Sequence, residues 1–303
     1  MSEHVVPEIS CLPSTSPTYR LSPDQPFDLD PTLSCGQVFR WERSGSTWYG
    51  AIDNKPVVIR QSGTLLTYAG CSEAALIRYF GLDVDLEAVL RSAGDDGYLE
   101  AAARRHRGLR IIRQDPWECL VSYLCAQNTS IPHIQRMLRN LCSRAGEEVC
   151  GPAGTGHAFP AAEVVAALPA EEKKACAFGY RAGYIHRTAE AVAVDAQWSE
   201  RIREMEYEDA RREMMRFPGV GPKVADCILL FGFQRYESFP VDVWVRSIMH
   251  TCYGVGSQAR TLTPKEYETI RRFGQRYFGL YAGYAQEYLF ADREHLIRVN
   301  RVK

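Results

Sequence analysis

The spacing of apolar residues changes near residue 80. Before that point, in QVFRWERSGSTWYGAIDNKPVVIRQSGTLLTYAG (37–70), short β-branched and aromatic runs are separated by turn signals at Ser44-Gly45-Ser46, Asp53-Asn54 and Ser62-Gly63. That pattern predicts an antiparallel meander. Beyond it, apolar residues return at three and four positions in LEAVLRSA (86–93), PWECLVSYLCAQNTSIPHIQRMLRNLCSRAG (116–146) and AAEVVAALPAEEKKACAFGY (161–180), which predicts a helical body. The Gly- and Pro-rich GEEVCGPAGTGHAFP (146–160) is expected to be a loop. Its Gly-x-Gly lacks the preceding strand that a dinucleotide site requires.

One junction in the helical part carries candidate chemistry. In MMRFPGVGPKVADCILLFGF (214–233), a helix pattern ends at Phe217, because Pro218 excludes the preceding residue from helical dihedrals. Gly219 and Gly221 permit positive φ, and Pro222 suits the first position of a new helix. The prediction is helix, tight hairpin, helix. Backbone N–H groups of such a hairpin beside a helix N-terminus form a phosphate site, and the absent glycine side chains let a phosphate approach. Lys223 stands in the first turn of the second helix, where the helix dipole disfavours a cation. Nineteen residues on, in SFPVDVWVRSI, Asp242 opens another helix pattern. Each feature also has a purely structural reading: a helix connector for Pro-Gly-Val-Gly and an N-cap for Asp242.

Composition narrows the picture. The chain has 303 residues, of which 46% are hydrophobic, ample for a core. Thirty-six Lys and Arg against thirty-seven Asp and Glu leave a net charge of −1, so any nucleic-acid face must be local. The first twenty residues have no basic region leading into an apolar core, and no eighteen apolar residues run together. An intracellular chain without membrane contact is expected, in cytoplasm or nucleoid in a bacterium and in the nucleus in a eukaryote. Ten cysteines are scattered without short repeated spacings, which fits reduced thiols. The last is Cys252, so no C-terminal four-cysteine cage for an iron–sulfur cluster can form, and no zinc spacing occurs.

FPGVGPKVADCILL followed by FPVDVW resembles the helix-hairpin-helix glycosylase (HhH-GPD) superfamily, and within it the 8-oxoguanine DNA glycosylase/AP lyases. Further matches, in order, are LSCGQVFRW (33–41), IIRQDPWECLVSYLCAQNTSI (111–131), GYRAGYI (179–185) and YAGYAQEYLFADR (281–293). The resemblance implies an α+β fold: an N-terminal antiparallel β-sheet domain of TBP-like type over 1–114, then an all-α helix-hairpin-helix region over 115–303. It implies a monomer acting on double-stranded DNA that contains 8-oxoguanine. No cofactor is required; whether a structural cation joins hairpin carbonyls to phosphate is left open.

Carried over residue by residue, the resemblance makes Lys223 the nucleophile at C1′ and Asp242 the carboxylate that stabilises the developing sugar cation. An apolar surrounding would help keep the lysine amine neutral. Gly36 would present a backbone carbonyl to N7–H of the lesion, Gln286 would read its Watson–Crick edge, and Phe290 and Cys227 would close its two faces. Taken singly, Gly36 reads as a turn glycine, and Phe290 and Cys227 as core residues. Asn128 matches the wedge that fills the vacated stack, and Tyr180 and Arg181 match residues lying against the opposite strand and its cytosine. Two positions depart from the family pattern: His133 stands where an arginine contacts cytosine, and Trp244 where a histidine reaches a phosphate. Relaxed selection for the opposite base is therefore expected. Two other readings stay open: a sister glycosylase for oxidised pyrimidines or mispaired adenine, and a non-enzymatic DNA-binding scaffold.

Overall fold

The computed structural model describes residue 12 and residues 15–152, 154–257 and 261–300; most of the N-terminal stretch read for targeting signals, and Cys11, lie outside the described residues. The meander forms as β2 (Glu42–Ser44), β3 (Thr47–Ile52), β4 (Lys55–Ser62) and β5 (Leu65–Ala69). At the Asp53-Asn54 turn both residues take positive φ, 50° and 61°, which matches the twist of the flanking strands and sets Ile52 opposite Lys55. A strand outside the expected meander, β1 (Thr18–Arg20), pairs antiparallel with β5 and completes a five-stranded sheet in the order β1-β5-β4-β3-β2. Helices α1 (Leu29–Ser34) and α2 (Glu73–Phe80) contribute Leu29, Leu33, Leu76 and Phe80 to a core with Trp48, Val57, Ile59 and Leu66 of the sheet.

A second, larger core lies in the helical body. Helices α3 (Leu86–Ser92) and α4 (Gly97–Arg105) precede α5 (Pro116–Cys125) and α6 (Ile131–Ala145). Leu86, Val89, Leu99 and Ala102 belong to this helical core, so the chain joins the helical body well before residue 115. The long apolar run 116–146 breaks between α5 and α6, where Asn128 takes a φ of 49°. The segment expected to be a loop is instead a hairpin of two strands, β6 (Glu148–Gly151) and β7 (Gly154–His157). It packs on β4, and glycine permits the approach: a Cβ on Gly151 would lie 3.2 Å from Pro56.

The remaining helices are α7 (Ala162–Ala167), α8 (Ala170–Ala175), α9 (Ala182–Ala193), α10 (Trp198–Glu204), α11 (Tyr207–Met214), α12 (Pro222–Phe233), α13 (Val243–Tyr253), α14 (Pro264–Phe278), α15 (Ala282–Ala291) and α16 (Arg293–Asn300). Helix α12 is apolar on every face and is buried from Val224 to Phe233, packed against α5. Its one buried charge, Asp226, accepts from Arg211 Nε at 2.8 Å, Tyr207 Oη at 2.6 Å and Tyr267 Oη at 2.5 Å. These bonds tie α11 and α14 to α12 and hold the helix that carries Lys223 in one register.

Candidate active site

The hairpin forms between α11 and α12, with a difference at each glycine. The regular part of α11 ends at Met214, and a hydrogen-bonded turn carries the chain to Phe217. Gly219 takes a φ of 82°, and a Cβ there would meet the Tyr184 ring at 2.6 Å. Gly221 has a φ of −92°, which any residue adopts, so of the two glycines only Gly219 uses the positive φ that both permit. Nothing lies within 4 Å of a Cβ placed on Gly221. That open space, beside the α12 N-terminus, is where the hairpin can receive an anion. Two hairpin carbonyls already accept hydrogen bonds, Pro218 from Thr188 Oγ1 at 3.3 Å and Gly219 from Gln127 Nε2 at 3.1 Å. This narrows the set free for a bridging cation. Among the described residues no group of three His, Cys, Asp or Glu side chains could hold a metal ion.

A cavity of about 60 Å³ opens at the start of α12. Its lining brings together Gly36, Lys223, Cys227, Asp242, Gln286 and Phe290, six positions drawn from four separate stretches of sequence. Asp242 caps α13, accepting from the N–H groups of Trp244 at 2.9 Å and Val245 at 2.8 Å, so its structural role and its place in the cavity coexist. Gly36 takes a φ of 99°, and the nearest atom to a Cβ there is Ile131 Cδ1 at 3.7 Å. Glycine is therefore required by the backbone conformation and not by crowding. The neighbouring Gln37 clamps this loop: its Nε2 donates to Thr32 O at 2.9 Å and Arg110 O at 2.8 Å, and its Oε1 accepts from Ile112 N at 2.8 Å. Gln286 is buried, and its Oε1 makes no hydrogen bond among the described residues.

Other lining residues escaped the sequence reading. Tyr123 of α5 lies under the nucleophile candidate, its ring centroid 5.4 Å from Lys223 Nζ. Phe231 stacks on Tyr123 at 5.7 Å, nearly parallel. Glu287, buried next to Gln286, adds a second carboxyl. Arg293 lies 4.4 Å from the Phe290 centroid and 5.7 Å from that of Trp244, bringing a cation beside both rings.

The electrostatics differ from the expectation of a lysine held neutral by apolar surroundings. The Cys227 sulfur raises the Lys223 pKa above its ordinary value, and the Asp242 and Glu287 carboxylates act in the same direction, outweighing desolvation. Burial pushes the Cys227 thiol up to about 12, so near neutral pH it is uncharged and the two carboxylates are the charges that act against desolvation of the ammonium.

The residues expected at the opposite strand gather around the break between α5 and α6. Asn128 Nδ2 lies 3.3 Å from Tyr180 Oη, and Tyr180 is 57% exposed. Arg181 is instead buried, its Nε donating to Gln127 O at 3.1 Å while its guanidinium stacks 4.5 Å from the Tyr180 centroid. Its charge orders the Asn128 loop and is not presented at the surface. His133 stands apart on α6, with Nδ1 3.3 Å from Arg136 Nη2.

Residues 20–120 match the 8-oxoguanine DNA glycosylase, N-terminal domain, and residues 121–272 match the HhH-GPD superfamily base excision DNA repair protein. The N-glycosylase/DNA lyase OGG1 of Arabidopsis thaliana is 32% identical over 275 residues, covering 86% of this chain and 75% of that protein. The N-glycosylase/DNA lyase of Saccharomyces cerevisiae is 30% identical over 305 residues, covering 86% and 81%. Among solved structures, the Clostridium acetobutylicum 8-oxoguanine glycosylase/lyase in complex with double-stranded DNA containing cytosine opposite 8-oxoguanine superposes with a TM-score of 0.81 at 32% identity, covering 89% of this chain and 92% of that one. With both domain models matched along the chain and these relatives covered over most of their length, the chain belongs to the 8-oxoguanine DNA glycosylase/lyase family of the HhH-GPD superfamily, bifunctional enzymes of base-excision repair.

Proposed function

We propose that this chain excises 8-oxoguanine from duplex DNA with Lys223 as nucleophile and Asp242 as its electrostatic partner. The damaged nucleotide leaves the stack and enters the cavity between Cys227 and Phe290. The free amine of Lys223 attacks C1′, the glycosidic bond breaks, and the base departs with the bonding electrons. The resulting amine adduct opens to a Schiff base, and loss of a C2′ proton then expels the 3′ phosphate by β-elimination. Asp242 stabilises positive charge as it develops on the sugar, the role a carboxylate plays in glycoside hydrolysis.

The observation that carries the reading is the unpaired Gln286 Oε1 in a cavity that also holds Lys223 and Asp242. A buried acceptor without a donor costs stability unless a ligand satisfies it, and the Watson–Crick edge of 8-oxoguanine offers two donor groups, N1–H and N2–H₂. On the far edge, N7–H of the lesion is a donor where guanine has an acceptor, which suits the Gly36 carbonyl. Asn128 and Tyr180 fill the vacated stack. Arg181 supports them from beneath through Gln127.

Borohydride trapping on a duplex containing 8-oxoguanine tests the assignment. The wild-type chain should form a covalent cross-link and Lys223→Gln should form none. A Lys223→Gln chain that cross-links and excises at the wild-type rate removes the lysine from this role.

A further inference from the structure

Four acidic side chains are buried among the described residues: Asp96, Asp226, Glu287 and Asp292. Three are accounted for by their surroundings. Asp226 pairs with Arg211 at 2.8 Å. Asp292 pairs with Arg105 at 2.5 Å. Asp96 accepts from Leu99 N at 2.7 Å, Tyr253 Oη at 3.0 Å and Tyr277 Oη at 3.1 Å. Glu287 is 5% exposed; the Cys35 thiol and the Gln286 side chain hydrogen-bond to it, but no basic side chain among the described residues comes within the 4.0 Å of an ion pair. A carboxyl withdrawn from water without a counter-ion costs stability, and such groups concentrate at functional sites.

Its position gives the cost a use. Glu287 lines the same small cavity as Lys223 and Asp242, on the helix that presents Gln286 and Phe290. The groups that face it are the Cys35 thiol from the loop after α1, Lys223 and Cys227 from α12, Asp242 at the start of α13, Tyr123 from α5 and Gln286 on its own helix. Of these only Lys223 is cationic near neutral pH. Burial, with the Asp242 charge nearby, raises the Glu287 carboxyl to about 7, so it exchanges its proton near neutral pH.

We propose that Glu287 is an acid–base group of the excision step: as the bound nucleotide brings the two side chains into hydrogen-bond reach, or through one water, its carboxylate takes a proton from the Lys223 ammonium, the freed nitrogen attacks C1′ as the glycosidic bond breaks, and the new Glu287 carboxyl returns that proton to the departing base. This rests on the lysine assignment proposed above. It answers a difficulty the site creates for itself, since its carboxylates favour the ammonium while the reaction needs the amine. The proton is lent within the cavity and leaves with the product, so no net charge enters or leaves the closed site during the step.

The test is single-turnover excision of 8-oxoguanine from about pH 5.5 to about pH 8.5 by wild type, Glu287→Gln and Glu287→Asp, with borohydride trapping of wild type alongside. For a pair sharing one proton, the reactive population is constant above the carboxyl midpoint and falls about tenfold per pH unit below it. Wild type should therefore reach a plateau near neutral pH. Glu287→Gln must lose the lysine proton to solvent, so its rate should keep climbing by about tenfold per unit and lie at least about tenfold below wild type near neutrality. Glu287→Asp keeps a carboxyl and should keep the plateau at a reduced rate. A Glu287→Gln chain that is slower at every pH with the wild-type profile makes the residue structural and overturns the proposal, as does one with an unchanged rate. These outcomes leave the lysine assignment standing if wild type cross-links. A wild type that neither excises nor cross-links overturns both.

Discussion

The Lys223 ammonium lies over the Tyr123 ring, 5.4 Å from its centroid, and Phe231 stacks on that ring at 5.7 Å. A flexible lysine is thereby held by an aromatic wall that desolvates it without offering a competing hydrogen bond. The contact is worth about 0.5 to 2 kcal/mol, enough to bias the side chain toward one direction. Tyr123→Phe keeps the wall and loses only the Oη contact to Gln37 O at 3.4 Å, so excision should stay within about threefold of wild type. Tyr123→Leu removes the wall and should slow excision by about tenfold or more, because a misplaced nucleophile forfeits its near-attack geometry. Equal rates for the two variants would show that the ring does not position the lysine.

Asp242 combines a cap and a charge, and substitution separates them. Asparagine caps a helix about as well as aspartate, so Asp242→Asn should shift stability by less than about 1 kcal/mol. The same change removes the carboxylate from the developing sugar cation and should lower single-turnover excision by at least about a hundredfold with little change in DNA affinity. Asp242→Ala loses both roles, adding about 0.5 to 2 kcal/mol of destabilisation. Thermal melts with excision rates decide it. An Asp242→Asn chain that unfolds readily but reacts normally when folded would leave only the cap.

Glu287 ties activity to stability in the opposite sense. Its carboxyl is raised from an ordinary 4.5 to about 7 in the native state, so between those values the folded chain binds the extra proton and the unfolded chain does not. Stability contributed by this group is present at the acidic end of the window and is lost as pH rises toward 7, by about 3 kcal/mol in all. Glu287→Gln removes the term. Its melting temperature should exceed that of wild type by a margin that grows from pH 5 to pH 8, while its excision rate falls. A margin independent of pH would mean that the carboxyl titrates normally.

The difference between what the chain announced and what the fold added has physical causes. Helix ends were legible because Pro218, Gly219 and Pro222 constrain the backbone locally, and the sheet was legible because Asp53-Asn54 and Ser62-Gly63 mark its turns. The hairpin β6–β7 was not, since its strands have little apolar alternation and it packs on β4 through glycines that admit Pro56. Strand β1 is three residues long and gains its conformation from pairing with β5. Within the site, six residues could be placed from quoted motifs, but Tyr123 and Phe231 look like any core aromatic in a buried helix. Glu287 had a signal: a carboxylate in the apolar stretch YAGYAQEYLF, where α15 is buried on nearly every side. The electrostatic direction at Lys223 was beyond reach, because besides Cys227 on its own helix it depends on carboxylates brought in by two other helices.

The hairpin glycines divide into one that the fold needs and one that a ligand needs. Gly219→Ala places a methyl against the Tyr184 ring in a left-handed backbone and should destabilise the chain by about 1 to 3 kcal/mol. Gly221→Ala meets open space at an ordinary φ and should leave stability within about 0.5 kcal/mol of wild type. If that space receives a phosphate, the same methyl should weaken DNA binding by about tenfold. The salt dependence should remain steep, because the other phosphate contacts persist. Unchanged affinity in Gly221→Ala would place the phosphate elsewhere on the hairpin.

His133 and Arg136 set the last expectation, because their 3.3 Å contact puts an imidazole and a guanidinium side by side on the exposed face of α6. An arginine fork presents several fixed donors to the acceptors of cytosine, whereas an imidazole has at most two in a different geometry. On the proposed reading, in which His133 takes the position of a cytosine-reading arginine, discrimination against a wrong opposite base should be relaxed, and His133→Arg should sharpen it. A base-specific contact is worth about 1 to 3 kcal/mol, or about one to two orders of magnitude in the rate ratio. Arg136 stands one turn along and can supply part of the missing fork, so Arg136→Ala should flatten whatever preference the wild type retains. The measurement is single-turnover excision of 8-oxoguanine opposite C, T, G and A for the three chains. If wild type already rejects T, G and A as sharply as His133→Arg, neither side chain reads the orphan base, and selectivity falls to Asn128 and Tyr180 on the loop that Arg181 supports.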